Sequence, residues 1–563
     1  MMKKKLTVIL AAIFALLFLC GSALPNGWYR EDGSDVILRF DDMPYERPDA
    51  AAFRALSDKI ASALNEGAGY RKTVALLEQL FTQYYSANTM AVIADIQSCR
   101  DMTDDAWADE YAACLDTMTK IEDTMEEVYL ACGASPYGER LAREYFGDGF
   151  LEEYGEDAEE TLSEGYVNQL ERENALLAEY RNFVAQPSVT VRGREVPLYD
   201  ALYDAWSERE YNALLDAYYE KYNPLLGELY LRLMDVRKEQ ARLLGYDSYA
   251  EMMYDIGFDR DFSVEEGRAF IEGIKKWVLP VYARRMDEER QAELMEGYVP
   301  EEMLLGVLET VAHGLGGEVA QAYDFMRRNE LCDLAISDVK ADMSFQTYLD
   351  DYDAPFLFIN PYGDRGDILT VTHEFGHYAE AYISYGRYLS MDLAEVFSQA
   401  MQFLSLEPLE SALGAQDIAA LRLMNLYDVL DTLVWQAAYA EFEERAYRLE
   451  EPTVEKLNAL MLDIGREYGL AEGDDGFDVR WIDVTHFFEQ PFYVISYPVS
   501  ACCALEIYAK ELADGSGVDT YLRLAESEAI GLIEAAKEVG LDNPLSDKRV
   551  QETAALLDRL MDF

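Results

Sequence analysis

The sequence is poor in positive charge. Its 563 residues include 48 lysines and arginines against 107 aspartates and glutamates, which gives a formal net charge of −59 at pH 7. Such a chain repels phosphate backbones and anionic lipid surfaces, so its composition argues against nucleic acid as a partner. Half of the residues are apolar, which favours a globular protein with a large core over a disordered one.

Cysteine is scarce and shows no metal-binding pattern. The chain has seven cysteines and no C-x-x-C pair, so zinc bound through thiolates is not indicated. Cys502 and Cys503 lie in an apolar run that is typical of a core. Cys99, Cys114 and Cys132 are candidates for pairing in an oxidising compartment, and the sequence does not select one pairing.

Histidine is rarer still, with four in the chain, yet two of them belong to one motif, His373-Glu374-x-x-His377. On a helix, His373 and His377 project from the same face, and two neutral imidazoles at this spacing suit Zn²⁺. Glu374 is then placed to take a proton from a water on the metal. The motif predicts one zinc ion per chain, and a surface helix with two unrelated histidines is the alternative.

The surroundings of the motif predict the rest of the zinc site. The helix is expected to begin at Gly366-Asp367, with Asp367 as its N-cap, and to stop at Gly386. Zinc needs a third protein ligand, and Glu395, in the first turn of a helix beginning near Asp392, is the candidate. Alternatively, Glu395 only caps its own helix, because Asp392 and Glu395 have capping-box spacing.

Two other residues compete for a role at the metal. Glu380 lies seven residues after His373 on the same helix face, but a third ligand from the same helix closes a zinc site poorly. Glu380 is therefore expected to support a ligand or to be a solvated charge. His313 has no neighbour at metal-ligand spacing, so a structural or surface histidine is expected there.

The first 23 residues are typical of an export signal. Lys3 to Lys5 form a basic group, Leu6 to Leu19 form an apolar run, and small residues follow. Cleavage after Ala23 and lipidation of Cys20, as in a bacterial lipoprotein, are both open. Either outcome predicts an exported protein, extracellular or anchored to the outer face of a bacterial membrane, with this segment as its only membrane contact.

Beyond the signal, apolar residues recur at three- and four-residue steps, which predicts a mainly α-helical chain. A break at residues 186–193 predicts a short hairpin. It separates an N-terminal helical region, residues 24–195, from a zinc-binding catalytic region, residues 196–563. Two short strands are predicted just before the zinc helix, at 341–347 and 355–360, where an exposed edge would hold an extended peptide over the metal.

Several stretches resemble the thimet oligopeptidase and oligoendopeptidase F family of zinc peptidases. The likeness rests first on Asp367 to His377 and on Ala394 to Gln399, and it extends to Arg237 to Glu251, Phe356 to Asn360 and Thr485 to Tyr497. It covers about residues 195–560. The resemblance implies a mainly α fold: a helical ellipsoid with a deep substrate channel and a small β-sheet next to the zinc-binding helix.

The resemblance also implies roles for single residues. It keeps the two histidines and Glu395 as ligands and Glu374 as general base. His486 and a tyrosine, Tyr493 or Tyr497, would stabilise the oxyanion. Phe358 and Asn360 would bind substrate on the edge strand. For His486 the alternative is a core histidine packed among aromatic rings.

These observations together predict an exported zinc-dependent endopeptidase, an oligopeptidase that hydrolyses short peptides. Glu374 would take a proton from the attacking water and give it to the leaving amine. One alternative is an exported peptide-binding protein that kept the fold but lost activity. Another is a metallocarboxypeptidase-type exopeptidase on a similar helical fold, which the cleavage products of end-blocked peptides would distinguish.

Overall fold

The structure is a computed structural model of the 563-residue chain. It describes residues 39–65, 69–147, 150–155, 164–295, 297–472 and 476–562. The predicted export signal, with Cys20 and Ala23, lies outside the described residues. Within the described ranges, no helix combines the length and the apolar character that crossing a membrane requires.

Helices account for 74% of the structure, so the prediction of a mainly α-helical protein is confirmed. The helices before the first hairpin are α1 Ala50–Asn65, α2 Tyr70–Arg100, α3 Asp105–Gly133, α4 Gly138–Leu141, α5 Phe150–Tyr154 and α6 Glu164–Ala185. Between the hairpin and the three-stranded sheet lie α7 Leu198–Tyr203, α8 Glu208–Leu243, α9 Tyr249–Met252, α10 Val264–Gly273, α11 Leu279–Arg285, α12 Glu288–Met295, α13 Glu301–Leu315 and α14 Gly317–Asn329. After that sheet come α15 Gly366–Ile383, α16 Met391–Leu404, α17 Leu406–Leu413, α18 Ala415–Tyr447, α19 Val454–Glu467, α20 Thr485–Glu489, α21 Ser496–Asp514, α22 Gly517–Glu526, α23 Leu532–Val539 and α24 Asp547–Leu560.

Two small sheets interrupt the helices. β1 Ser188–Val191 and β2 Arg194–Pro197 pair antiparallel, which confirms the predicted hairpin. β3 Cys332–Asp333, β4 Ser344–Leu349 and β5 Ala354–Ile359 form a three-stranded sheet in the order β3-β5-β4. β4 and β5 are the two strands predicted before the zinc helix. The sequence pattern did not predict β3, because two residues are too short to show a period.

The chain divides into two compact units. The first is built from the described residues within Met1–Glu159, Asp287–Asp428 and Ser500–Asn543. The second is built from those within Glu160–Met286, Val429–Val499 and Pro544–Phe563. These limits differ from the division at residue 195 suggested by the sequence, because the chain passes between the units several times.

In the first unit, the N-terminal helices α1, α2 and α3 enclose an apolar cluster. The apolar face of α1, formed by Phe53, Leu56, Ile60 and Leu64, is buried there. Cys114 and Cys132 belong to the same cluster, and they and Cys99 are free thiols. Cys502 and Cys503 are buried, as their apolar run predicted.

The helix that carries the His373-Glu374-x-x-His377 motif, α15, belongs to the first unit, where it packs on β4, β5 and α14. It begins at the predicted place, but the predicted cap is wrong. The N–H of Gly366 donates to Asp364 Oδ1 over 2.7 Å. The carboxylate of Asp367 accepts instead from the backbone N–H groups of Tyr362, at 2.9 Å, and Gly363, at 2.7 Å. Asp367 therefore fixes the turn that leads from the sheet into the helix.

Candidate active site

Helices α15 and α16 bring the three predicted ligands together. His373 Nε2 lies 3.6 Å from Glu395 Oε2, and His377 Nε2 lies 3.9 Å from the same oxygen. One ligand atom from each residue lies within 4.8 Å of the others, and no other such group of histidine, cysteine or carboxylate side chains occurs in the described chain. The two side chains on α15 are one turn apart on one face, as the motif predicted.

A glycine inside the motif allows the two helices to meet. A Cβ placed on Gly376 would stand 2.5 Å from the carbonyl oxygen of Phe397 and 2.6 Å from the Cα of Ser398, both on α16. Only a residue without a side chain lets the backbones approach so closely. Gly376 lies between His373 and His377 on α15, and Phe397 and Ser398 follow Glu395 on α16. The close contact therefore sets the distance between the candidate ligands on the two helices.

Glu395 does not cap its own helix. The N-cap of α16 is Ser390, whose Oγ accepts from the N–H of Leu393. The Glu395 side chain is buried, and Ser398 Oγ donates to its Oε2 over 3.1 Å. The capping-box alternative is therefore wrong, since this carboxylate points toward the histidines and is oriented by a neighbour on its own helix.

The donor set fits zinc. Zn–N and Zn–O bonds of about 2.0–2.2 Å in a tetrahedron put neighbouring ligand atoms about 3.4 Å apart, close to the separations found here. Burial is the main cause that lowers the pKa of His377 to about 4, so its imidazole is neutral, as a metal ligand must be. The histidine side chains keep exposed fractions of 27% and 19%, which leaves the ligand atoms open to solvent on one side.

The sequence did not predict the partner of His373. Its Nδ1 lies 3.2 Å from Gln402 Oε1. An amide oxygen only accepts, so Nδ1 carries the hydrogen, and in the neutral imidazole Nε2 is the nitrogen available to a metal. Gln402 in turn hydrogen-bonds Asp428, whose pKa is raised mainly by loss of hydration. Gln402 follows Glu395 by seven residues, so it lies on the same face of α16, a spacing from which it could have been predicted.

Glu374 has the properties of a base. Burial, with help from the Glu395 charge, raises its pKa to about 7, although His373 acts in the opposite direction. A general base is most effective when its pKa lies near the working pH. Glu380, the competitor from the sequence, is buried rather than solvated, and burial raises its pKa to about 7.

The structure gives the two residues predicted to bind substrate, Phe358 and Asn360, other partners within the sheet. Phe358 lies on β5, the central strand, and its side chain is fully buried. Asn360 uses its side-chain amide to bind the backbone N–H and C=O of Ser337, at 3.1 and 3.0 Å. Both edges of β5 are occupied, by β3 and by β4. β5 thus offers neither a side chain nor a backbone edge to a peptide.

The free edge of this sheet belongs to β4. The N–H of Asn360 donates to the carbonyl of Met343, and this register makes every second residue of β4 face β5. Ser344 and Gln346 therefore direct their backbone N–H and C=O groups away from the sheet. Both residues are partly exposed, and no described strand pairs with this outer edge of β4.

In the second unit, His486, Tyr493 and Tyr497 form a second group, here named the ring cluster. The imidazole stacks on the Tyr493 ring, with centroids 5.2 Å apart and planes at 8°. His486 Nε2 lies 3.5 Å from the Tyr497 hydroxyl. Tyr493 is 2% exposed, whereas His486 and Tyr497 are partly exposed. Of the two candidate tyrosines, Tyr497 is thus the one whose side chain solvent reaches.

The remaining histidine has no part in either group. His313 is half exposed, and its Nε2 lies 3.0 Å from Asp324 Oδ1. It is a surface histidine paired with a carboxylate, as the sequence predicted.

Comparison with known proteins places this geometry in a family. A profile described as "Peptidase M3 N-terminal domain" matches residues 40–153, and one described as "Peptidase family M3" matches residues 318–551. Together they cover more than half of the chain. A curated relative, oligopeptidase PepF of Bacillus subtilis (strain 168), is 27% identical over 208 residues, a match that spans 33% of this chain and 30% of PepF.

Solved structures share the fold at low sequence identity. A structure named for oligoendopeptidase F has a TM-score of 0.75 and 23% identity, covering 93% of this chain and 99% of that one. PZ peptidase A with an inhibitor has a TM-score of 0.75 and 20% identity, with the same coverage of 93% and 99%. Oligoendopeptidase-F from Enterococcus faecium has a TM-score of 0.56 and 16% identity, covering 91% and 96%. By its sequence profiles and its fold, the chain belongs to peptidase family M3.

Proposed function

We propose that the protein is a zinc-dependent endopeptidase, an oligopeptidase that binds one zinc ion through His373, His377 and Glu395 and hydrolyses short peptides. The observation that carries the proposal is the convergence of these three side chains beside Glu374, a partly exposed glutamate whose pKa is raised to about 7. An inactive peptide-binding protein would need neither a complete ligand set nor a base adjusted to neutral pH.

Different residues of the chain have different roles in the proposed reaction. Zinc, when bound, polarises the attacking water and the substrate carbonyl. Glu374 accepts the proton of that water and delivers it to the leaving amine. Gln402 keeps the hydrogen of His373 on Nδ1, so that Nε2 is held ready as a ligand.

The ring cluster supplies the hydrogen bonds to the carbonyl oxygen as it becomes negative. This assignment follows the resemblance of Thr485 to Tyr497 to the family. Tyr497 is the preferred donor because its side chain is partly exposed, while Tyr493 is buried under His486. Fixed donors at a developing oxyanion contribute on the order of 10²–10³ in rate each.

The peptide is held in extended form along β4. Its backbone pairs with the outward N–H and C=O groups of Ser344 and Gln346, which is the usual way in which a sheet edge binds a peptide. Recognition through the backbone leaves the sequence of the peptide largely open, which suits an enzyme that degrades mixed short peptides.

The experiment measures zinc content and hydrolysis together. Full-length protein and its Glu374→Gln variant are incubated with a mixture of short peptides, and the products are identified by mass spectrometry. About one zinc per chain in both proteins, with internal cleavage by the unsubstituted protein only, is the expected result. Zinc without cleavage would support the inactive binding protein, and release of C-terminal residues alone would support the exopeptidase. Absence of zinc would refute the ligand assignment.

The proposal includes export, with lipidation at Cys20 or cleavage after Ala23. It rests on the basic and apolar pattern of residues 1–23 alone. Mass spectrometry of the mature N-terminus, from protein expressed in a bacterium, tests it. A chain that begins at Leu24 or at a lipidated Cys20 is expected, and an intact Met1 in the cytoplasm would contradict export.

A further inference from the structure

The segment that carries the ring cluster is irregular, yet it is tied down at several points. Between α20 and α21 the chain makes two turns, and Phe492 adopts a left-handed backbone with φ of 67°. For a residue with a side chain this conformation costs about 1–2 kcal/mol. It persists only where the surroundings impose it. Phe492 lies directly before Tyr493, one of the three rings.

Three buried ionisable side chains hold this segment, and we name them the buried anchors: Arg237, Arg260 and Glu443. Arg237, on α8, donates to the carbonyls of Phe487, over 3.2 Å, and Phe488. These two residues follow His486 directly. Arg237 has no exposed surface and is neutralised by Glu173, with Nε and Oε1 2.6 Å apart.

The second anchor fixes the strained residue. Glu443, on α18, is fully buried, and both of its carboxyl oxygens lie 3.0 Å from the backbone nitrogen of Phe492. The third anchor holds the start of α21. Arg260 donates to Ser496 Oγ over 2.8 Å and reaches the carbonyl of Tyr493 at 3.5 Å. Every anchor thus binds within one residue of a member of the ring cluster.

Buried ionisable groups of this kind are weak contributors to stability. Each carries a desolvation penalty, and well-packed apolar side chains of similar size often stabilise a fold as well or better. What the anchors do provide is direction, because each one binds a defined backbone or hydroxyl group. The three anchors come from different parts of the chain, but all of them bind the segment that carries the ring cluster.

We propose that Glu443, assisted by Arg237 and Arg260, is a positioning residue that holds the ring cluster in its reactive arrangement by fixing the left-handed Phe492. The proposal rests on the proposed function, in which Tyr497 donates to the oxyanion. A displacement of about 1 Å in such a donor is enough to lower the rate on the order of 100-fold.

The chain offers a matched control on the same helix. Glu441 is also buried, and it accepts from Lys275, at 3.1 Å, from Arg445, at 3.2 Å, and from Tyr468, at 3.0 Å, none of which belongs to the ring cluster. Glu441→Met removes a buried carboxyl as Glu443→Met does. Burial raises the pKa of Glu443 to about 8, so Glu443→Gln resembles the protonated carboxyl and keeps an acceptor for Phe492.

The experiment measures kcat and KM of the full-length protein on a short internally quenched peptide. We expect Glu443→Met to lower kcat on the order of 10- to 100-fold with little change in KM and with zinc retained. Glu443→Gln should recover most of the activity, and Glu441→Met should leave kcat nearly unchanged. Equal losses in both methionine variants, or a loss confined to KM, would overturn the proposal.

A double-mutant cycle separates this proposal from the proposed function. If Glu443 acts through Tyr497, then Glu443→Met should cause little further loss once Tyr497→Phe is present, whereas multiplied losses would overturn it. A Tyr497→Phe variant with full activity would refute the role of Tyr497 itself, and with it the premise. If Glu443→Met does not fold, Ser496→Ala, which removes only the hydroxyl bound by Arg260, takes its place. It should likewise lower kcat with little change in KM, retain zinc, and cause little further loss once Tyr497→Phe is present.

Discussion

The candidate metal centre and the ring cluster are held in place in different ways. His373, His377 and Glu395 project from regular helices, and their positions follow from helix geometry and from one close helix contact at Gly376. The ring cluster lies on the short helix α20, on the two turns that follow it and on the start of α21, and buried ionisable side chains from other elements fix it. The first arrangement depends on backbone packing and the second on a few directed hydrogen bonds.

The difference predicts how each region responds to substitution. A site built on helix contacts should be sensitive to anything that separates the helices, and its loss should appear as loss of metal. A site built on directed hydrogen bonds should lose rate while zinc and fold persist. The following substitutions test this contrast, from the largest expected effect to the smallest.

Removing a ligand should abolish function in the first region. Glu395→Ala is expected to leave the chain folded but without stoichiometric zinc, because two histidines on one helix turn form an incomplete site. Hydrolysis should fall below detection. Zinc analysis after dialysis, together with circular dichroism, checks this. Retention of one zinc per chain would transfer the third-ligand role to another residue.

Removing the hydroxyl of Tyr497, the partly exposed tyrosine of the ring cluster, should lower the rate and leave the metal bound. Tyr497→Phe is expected to reduce kcat on the order of 10²–10³, with zinc content unchanged. Tyr493→Phe keeps the ring stacked on His486 and should have a much smaller effect. Steady-state kinetics of both variants provides the measurement, and the reverse order of effects would assign the donor role to Tyr493.

Separating the two helices should weaken metal binding without touching a ligand. Gly376→Ala places a methyl group against the backbone of α16, and such overpacking costs about 1–3 kcal/mol. We expect a lower zinc affinity in competition with a chelator. Gly306→Ala is the control, since that helical glycine faces open space and alanine there should be neutral or slightly stabilising. Equal zinc affinities in the two variants would show that the close contact does not set the site.

The pH dependence of stability tests the burial of Glu443. Burial raises the pKa of this carboxyl from 4.5 to about 8, so its contribution to stability is present below about pH 4.5 and is lost as the pH rises through about 8. Glu443→Gln does not titrate there. The melting temperature of the variant relative to the unsubstituted protein should therefore increase between about pH 5 and about pH 8. A constant difference over this range would mean that Glu443 is not buried as described.

The same contrast explains what the sequence could predict. Helix periodicity and the spacing of His373, Glu374 and His377 are local patterns, so the helical fold and the metal motif followed from them directly. The sequence also selected Glu395, although only the contact at Gly376 explains why it reaches the histidines.

What the sequence missed depends on contacts between distant residues. The strand order that buries Phe358 and leaves β4 at the edge cannot be derived from two short apolar runs. The buried anchors lie far from the ring cluster in sequence, and a buried arginine has no pattern that distinguishes it from an exposed one. Only the folded chain shows that they meet.

The most direct measurement is anomalous X-ray diffraction at the zinc absorption edge from crystals of the purified protein. One strong peak is predicted, within about 2.0–2.2 Å of His373 Nε2, His377 Nε2 and a carboxyl oxygen of Glu395. A peak coordinated by other residues, or no peak in protein that hydrolyses peptides, would contradict the assignment of these three residues as the metal centre.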